Sequence, residues 1–136
     1  MAKDTLFKNK FSNFFLHQVG AFPIKRDSAD IKAVKETLKR LKKGCPVIIF
    51  PKGTRLAGRE DKKPEPGIGL IALKSAVPVI PAYIQGSDQV LPAHAKRLKR
   101  HRVVVKLGIP LKFSPKQSYQ DMADQIYQGI LNLVEK

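Results

Sequence analysis

Residues 46–55 read Pro46-Val47-Ile48-Ile49-Phe50-Pro51-Lys52-Gly53-Thr54-Arg55. The first half is a continuous apolar run, the pattern of a strand buried on both faces and hence of a parallel sheet. The second half is polar, cationic and glycine-bearing. It leaves the strand at its carboxyl end, where open α/β sheets hold their ligands. These ten residues therefore set both the expected layering of the chain and the place to look for chemistry.

Upstream, Ile31, Val34, Leu38 and Leu41 recur at helical spacing, and Lys32, Lys35, Lys39, Arg40 and Lys43 read as the solvated side of that helix. Asp27 is its candidate cap, Asp30 sits in its first turn, and Gly44 supplies the stop. Further back, Leu6, Phe7, Phe11, Phe14, Phe15 and Val19 are spaced for one amphipathic helix or two short ones. They are read as core; Lys3, Lys8 and Lys10 beside them leave a surface-binding helix as the other reading. Gly20 to Ile24 is a short extended segment. Downstream of a polar loop from Pro51 to Pro66, Gly67 to Ser75 reads as a helix with Ile68, Ile71 and Ala72 inward and Leu73 as a further candidate. Val77 to Ile84 reads as a second buried strand, interrupted by Pro78 and Pro81, so that a bulge or an edge is expected there. Val103 to Leu107 is a third strand. Ser118-Tyr119-Gln120-Asp121 has the form of a capping box and opens a last helix that buries Met122, Ile126, Ile130 and Leu133. The alternation predicts an α/β domain with a mostly parallel central sheet flanked by helices.

The chain has 136 residues, which suits one domain spanning 1–136. At 43% hydrophobic and 27% charged residues it can bury a core. No apolar run reaches the ~18–20 residues of a membrane span, no signal peptide is evident, and the single Cys45 excludes a disulfide scaffold. Cys45 precedes the apolar run and reads as an inert packed thiol. His17, His94 and His101 are isolated from other ligands, so no metal site is expected. Gly86-Ser87-Asp88 reads as a turn.

Lysine and arginine number 26 against 11 aspartate and glutamate, a formal charge of +15. Such a charge attracts polyanions: nucleic acid, anionic lipid or phosphorylated small molecules. It is uneven, because no acidic residue falls between Gln89 and Gln120 while Lys96, Arg97, Lys99, Arg100, Arg102, Lys106, Lys112 and Lys116 are basic. That stretch holds only Phe113 and Tyr119 as aromatics, few for base stacking, and is read either as a solvated surface or as an anion-facing patch. In the loop after Phe50, Gly53 allows close backbone approach, Thr54 offers a hydroxyl, and Lys52 and Arg55 bring two charges. Donors, charge and little bulk are what phosphate recognition needs. The spacing is not that of a Walker loop.

Phe50-Pro51-Lys52-Gly53-Thr54-Arg55 closely resembles the Phe-Pro-Glu-Gly-Thr-Arg block of the glycerolipid acyltransferases, of the 1-acylglycerol-3-phosphate type. Two further blocks follow the family's order: Gly20-Ala21-Phe22-Pro23-Ile24-Lys25-Arg26 is similar to its Gly-x-Phe/Ile-x-x-x-Arg block, and Val77-Pro78-Val79-Ile80-Pro81-Ala82 to its Val-Pro-Val-x-Pro block. The resemblance implies transfer of an acyl group from acyl-CoA or acyl-carrier protein, as co-substrate and with no other cofactor, to the free hydroxyl of lysophosphatidate. It implies that Arg26, Lys52, Gly53, Thr54 and Arg55 bind the phosphate, that Phe50 and Pro51 shape the cleft, and that Pro81 lies near the donor side.

The chain departs from the family twice. No His-x-x-x-x-Asp block, the family's catalytic base, occurs in it: Phe22, Lys99 and Lys106 stand five residues beyond the three histidines. No catalytic residue is therefore assigned, and the expectation is a partial domain without its N-terminal part. Lys52 stands where the family has Glu, so an acceptor for a substrate hydroxyl has become a cationic donor. The resulting expectation is a weak or inactive acyltransferase, with a non-catalytic module for anionic lipid or lysophosphatidate as the alternative and a small basic nucleic-acid-binding protein as the second. The expected location is cytoplasmic, peripheral on the inner face of the membrane. An exposed apolar surface is expected, along with self-association or a partner chain that supplies the missing segment.

Overall fold

The computed structural model describes residues 2–3, 10–18, 20–24, 31–52, 63–92, 95 and 97–134. The elements are β1 (Ala2–Lys3), α1 (Lys10–Gln18), β2 (Pro23–Ile24), α2 (Ile31–Lys42), α3 (Gly67–Ser75), β3 (Ala82–Gln85), α4 (Ser87–Val90), β4 (Val104–Leu107) and α5 (Tyr119–Leu131). Helices and strands intermix along the chain, though α2 and α3 follow one another with no strand between them. No helix among the described residues is long and apolar enough to cross a membrane.

The core lies between α3 and α5. Ile68 and Ala72 of α3 meet Ala123 and Ile126 of α5, with Ile49, Val79, Leu111 and Phe113 packed around them. Met122 and Ala123 are fully buried. α5 begins as its sequence specifies: the Ser118 hydroxyl accepts from Asp121 N at 3.1 Å, and Ser118 N donates to the Asp121 carboxylate at 3.3 Å. Both exchanges satisfy amides that a helix start leaves orphaned. Ile130 and Leu133 are half-buried.

The sheet differs from expectation. Among the described residues only β1 and β2 run parallel, pairing Ala2 with Pro23 and Lys3 with Ile24; β3 and β4 are antiparallel, with Ala82 opposite Leu107 and Ile84 opposite Val105. No mostly parallel central sheet is present among the described residues. Residues 46–50 form no strand, and the run is covered on one side only: Ile49 joins the core, whereas Ile48 and Phe50 are 73% and 62% exposed. The second strand is shortened to Ala82–Gln85. Pro78 and Pro81 bring no N–H to a ladder, leaving an isolated bridge in which Val79 and Leu111 exchange bonds of 3.0 and 2.8 Å, and Pro81 accepts from Gly108 N at 2.8 Å.

Other faces also shift. α2 buries Ala33 and Thr37, not Ile31, which is 65% exposed. Gly44, at φ 77°, ends that region as expected, and Cys45 N bonds to Arg40 O. Asp27 and Asp30 lie outside the described residues. Phe14 and Phe15 point outward from α1, and Cys45 is exposed, so neither reading as packed core holds. Exposed apolar surface is found on the β3–β4 sheet. Ala82 and Ile84 share a face with Leu107 and Val105, and all four are exposed.

Gly69 and Gly67 differ in what surrounds them. A Cβ at Gly69 would collide with the Tyr119 carbonyl oxygen and lie 2.9 Å from its carbon, whereas one at Gly67 meets nothing within 4 Å. Gly69→Ala is expected to cost ~1–3 kcal/mol by forcing α3 off α5, and Gly67→Ala to be neutral or stabilising by up to ~1 kcal/mol. Urea midpoints of the two variants check this; equal shifts would count against the close approach.

Candidate functional site

The Phe50–Arg55 block leaves the core at Ile49 and returns at Glu65, whose N–H donates to Pro51 O at 3.0 Å. That bond joins the two ends of the polar loop. Pro64 is buried, and its carbonyl accepts from the Gln120 amide at 3.3 Å, which ties the returning strand of the loop to the first turn of α5. Gln120 is braced in turn by Asp124 at 2.9 Å.

Lys52 is the block residue whose position is most informative. It is 7% exposed, with its ammonium 4.3 Å from the centroid of the Tyr127 ring. Gln120 and Tyr127 are two helical turns apart, on one side of α5, so the loop is held at its exit and at its return by the same helix face. A cation over an aromatic face gains from the ring quadrupole, and the more so as water is excluded. Lys52, read from sequence as a phosphate-binding residue, turns inward and anchors the loop on Tyr127. Phe50 projects outward at 62% exposure, and Pro51 is half-buried. Gly53, Thr54 and Arg55 lie outside the described residues.

The Gly20–Arg26 block is held from α2. Gly20 turns at φ 70°, and its carbonyl accepts from Arg40 Nη1 at 2.6 Å. The same guanidinium lies 4.5 Å over the ring of Phe22, which is 6% exposed, and donates through Nε to Glu36 at 2.8 Å. Arg40 therefore binds the backbone, the ring and a carboxylate at once. Sequence reading placed it among solvated cations; the Glu36–Arg40 spacing of i, i+4 was the available signal. Arg26 itself lies outside the described residues.

Pro81 is buried in packing. A Cβ on Gly129 of α5 would stand 2.9 Å from its ring, and one on Gly108 3.5 Å. The structure brings together Lys52, Pro51 and α5 in one place, and Gly20, Phe22 and α2 in another.

A sequence model of the family described as Acyltransferase matches residues 1–85. The 1-acyl-sn-glycerol-3-phosphate acyltransferase of Bacillus subtilis is 38% identical over 112 residues, covering 82% of this chain and 53% of that protein. Its namesake in Streptococcus pneumoniae is 32% identical over 137 residues, covering 99% of this chain and 47% of that protein. The crystal structure of the 1-acyl-sn-glycerophosphate (LPA) acyltransferase PlsC from Thermotoga maritima is similar with a TM-score of 0.66 and 25% identity, over 99% of this chain and 56% of that one. The chain thus spans about half the length of the curated bacterial relatives it matches.

Two outcomes test the anchors. A double-mutant cycle between Lys52→Met and Tyr127→Leu is expected to return a coupling of ~0.5–2 kcal/mol by urea unfolding; no coupling would remove the ring contact. The Arg40 hydrogen bond, with the Arg40 charge, holds the Glu36 carboxyl below its ordinary 4.5. A lowered folded value stabilises above the unfolded one and is lost as pH falls through the folded one. The melting temperature should therefore drop more steeply below about pH 4.5 in the parent than in Glu36→Gln, where it lacks this component.

Proposed function

Because this chain belongs to the acyltransferase family, we propose that it holds the acceptor-phosphate half of an acyl-transfer site acting on lysophosphatidate. The observation that carries this reading is that all three sequence blocks, Gly20–Arg26, Phe50–Arg55 and Val77–Ala82, lie inside or overlap residues 1–85, the stretch matched by the family. Arg55 and Arg26 supply the charge for the phosphate, Thr54 a hydroxyl, and Gly53 the room for backbone approach. Lys52 holds the exit of the loop on Tyr127 and adds its charge close by. Phe50 and Pro51 form the wall beside it, and Pro81 supports the cleft through its packing on Gly129.

In the reaction the free hydroxyl oxygen of the acceptor bonds to the thioester carbonyl carbon of acyl-CoA or acyl-carrier protein. The C–S bond breaks, and the thiolate leaves with the proton that a base has taken from the hydroxyl. These 136 residues contain no His-x-x-x-x-Asp to act as that base, and general-base catalysis is worth ~10²–10⁴-fold. Binding with weak turnover is the behaviour expected of the chain alone. Its charge of +15 also favours peripheral attachment to an anionic bilayer, at about 1 kcal/mol for each engaged lysine or arginine.

Calorimetric titration with lysophosphatidate, paired with an acyl-CoA transfer assay on the same preparations, tests the proposal. Lysophosphatidate should bind the parent chain, and Arg55→Ala should weaken it by ~10–100-fold, the loss of one charge-assisted phosphate contact. Transfer should fall ~10²–10⁴-fold below that of the B. subtilis relative. Unchanged affinity in Arg55→Ala removes the assigned phosphate site; turnover at the relative's rate removes the assignment of weak activity.

A further inference from the structure

Cations outside the three blocks meet a pocket at the carboxyl end of β3. The strand ends at Gln85, and Gly86 turns the chain through φ 82° into α4. A side chain there would strike the Arg102 carbonyl oxygen, and its Cβ would stand 3.2 Å from the His101 ring. Glycine is what lets the chain turn there against residues 101–102. Two backbone constraints hold the opposing segment in place: Lys99 N donates to Val90 O at 2.8 Å, and Val104 pairs with Gln85 in the β3–β4 ladder.

Between these segments lies an open pocket of about 490 Å³ lined by Gln85, Gly86, His101, Arg102 and Val104. Gln85, His101 and Arg102 among its lining residues are exposed, and Val104 is half-buried beside them. Arg97, Lys99 and Arg100 are exposed on the segment that leads into it, and no aspartate or glutamate occurs from Gln89 to Gln120. The acid nearest in sequence, Asp88, is exposed and accepts from the Gln89 amide at 3.0 Å.

A guanidinium offers a planar fork that matches phosphate, and a bare charge cluster without a cavity would lack such a seat. The volume falls in the range of small-ligand sites and exceeds what one phosphate group needs. We propose that this pocket is a second anion subsite, which seats a phosphomonoester carried on a larger organic body through Arg102 and His101, with Arg100 and Lys99 drawing it in. None of its residues belongs to the Phe50–Arg55 block, so it stands or falls apart from the acceptor-phosphate reading. The same chemistry is carried by the nucleotide end of a soluble thioester donor and by a lipid headgroup.

The test titrates the whole chain with adenosine 3′,5′-bisphosphate and, separately, with phosphatidylcholine vesicles with or without phosphatidate. The variants are Arg102→Gln, His101→Gln, both together, Arg55→Ala, and Lys32→Gln as a charge-matched exposed control on α2. Binding that drops about tenfold or more in the double variant, and not in Arg55→Ala or Lys32→Gln, supports the subsite, tenfold being one lost charged contact. Seen with the bisphosphate, that result identifies a soluble nucleotide source; seen only with phosphatidate vesicles, a headgroup source. Absence of binding to both probes overturns the proposal. So does binding that the double variant retains, or that Lys32→Gln weakens equally, since the attraction is then general charge. His101 and Arg102 are both exposed, so their replacement leaves the fold intact, which a matching urea midpoint verifies.

Discussion

On the loop side of the candidate site, the exit at Lys52 and the return at Pro64 are both positioned against α5. Its first residue, Tyr119, presents a carbonyl to the flat side of Gly69, which sets how close α3 can come. One residue on, Gln120 takes the loop's return at Pro64; two turns later Tyr127 takes its exit at Lys52; then Gly129 receives Pro81. Between them Met122, Ala123 and Ile126 form the buried stripe. The helix thus converts one buried face into a scale along which loop and strand are registered. Its start is itself pinned by the reciprocal Ser118–Asp121 bonds. Fraying of that first turn would move the carbonyl that meets Gly69 and the amide that meets Pro64 together.

How much of this was legible follows from which physical signal each element sends. α3 and α5 announce themselves by spacing, and α5 by its cap, because helical periodicity depends on the chain's own backbone bonds. Strand pairing depends on a partner elsewhere in the chain, and residues 46–50 show the consequence. Five apolar residues in a row read as covered on both faces, yet only Ile49 among Ile48, Ile49 and Phe50 joins the core. Nor does the composition of a strand state its direction: Val104 to Leu107 pairs antiparallel where a parallel neighbour was expected. The prolines were read correctly as interruptions, and the structure shows the extent, with the ladder beginning only after Pro81. In α2 the apolar spacing pointed to Ile31, but the small side chains of Ala33 and Thr37 allow the closer approach, and they are the buried pair.

The candidate site residues were named from their chemistry, and the sequence did not report which of the cations turn inward. Lysines and arginines look alike in a sequence of charge +15, whereas the structure divides them by what they touch. Arg40 is spent on Gly20, Phe22 and Glu36, and Lys52 on Tyr127, so both act inside the fold. Arg97, Lys99, Arg100 and Arg102 face solvent. Aromatic partners make the difference, because a ring gives a desolvated cation a favourable surface. Phe22 and Tyr127 lie 18 residues before Arg40 and 75 after Lys52 in the chain, separations at which no local pattern reports a contact.

The same pairing bears on why lysine stands at position 52, where the resembled block carries glutamate. A carboxylate over the face of Tyr127 would meet the negative side of the ring quadrupole and lose hydration there. An ammonium gains from the same face, and its four-carbon stem buries alongside. Lysine at 52 and tyrosine at 127 therefore suit each other as a unit, and the change of sign at the block need not be read as damage to it. In this fold position 52 fastens the loop to α5.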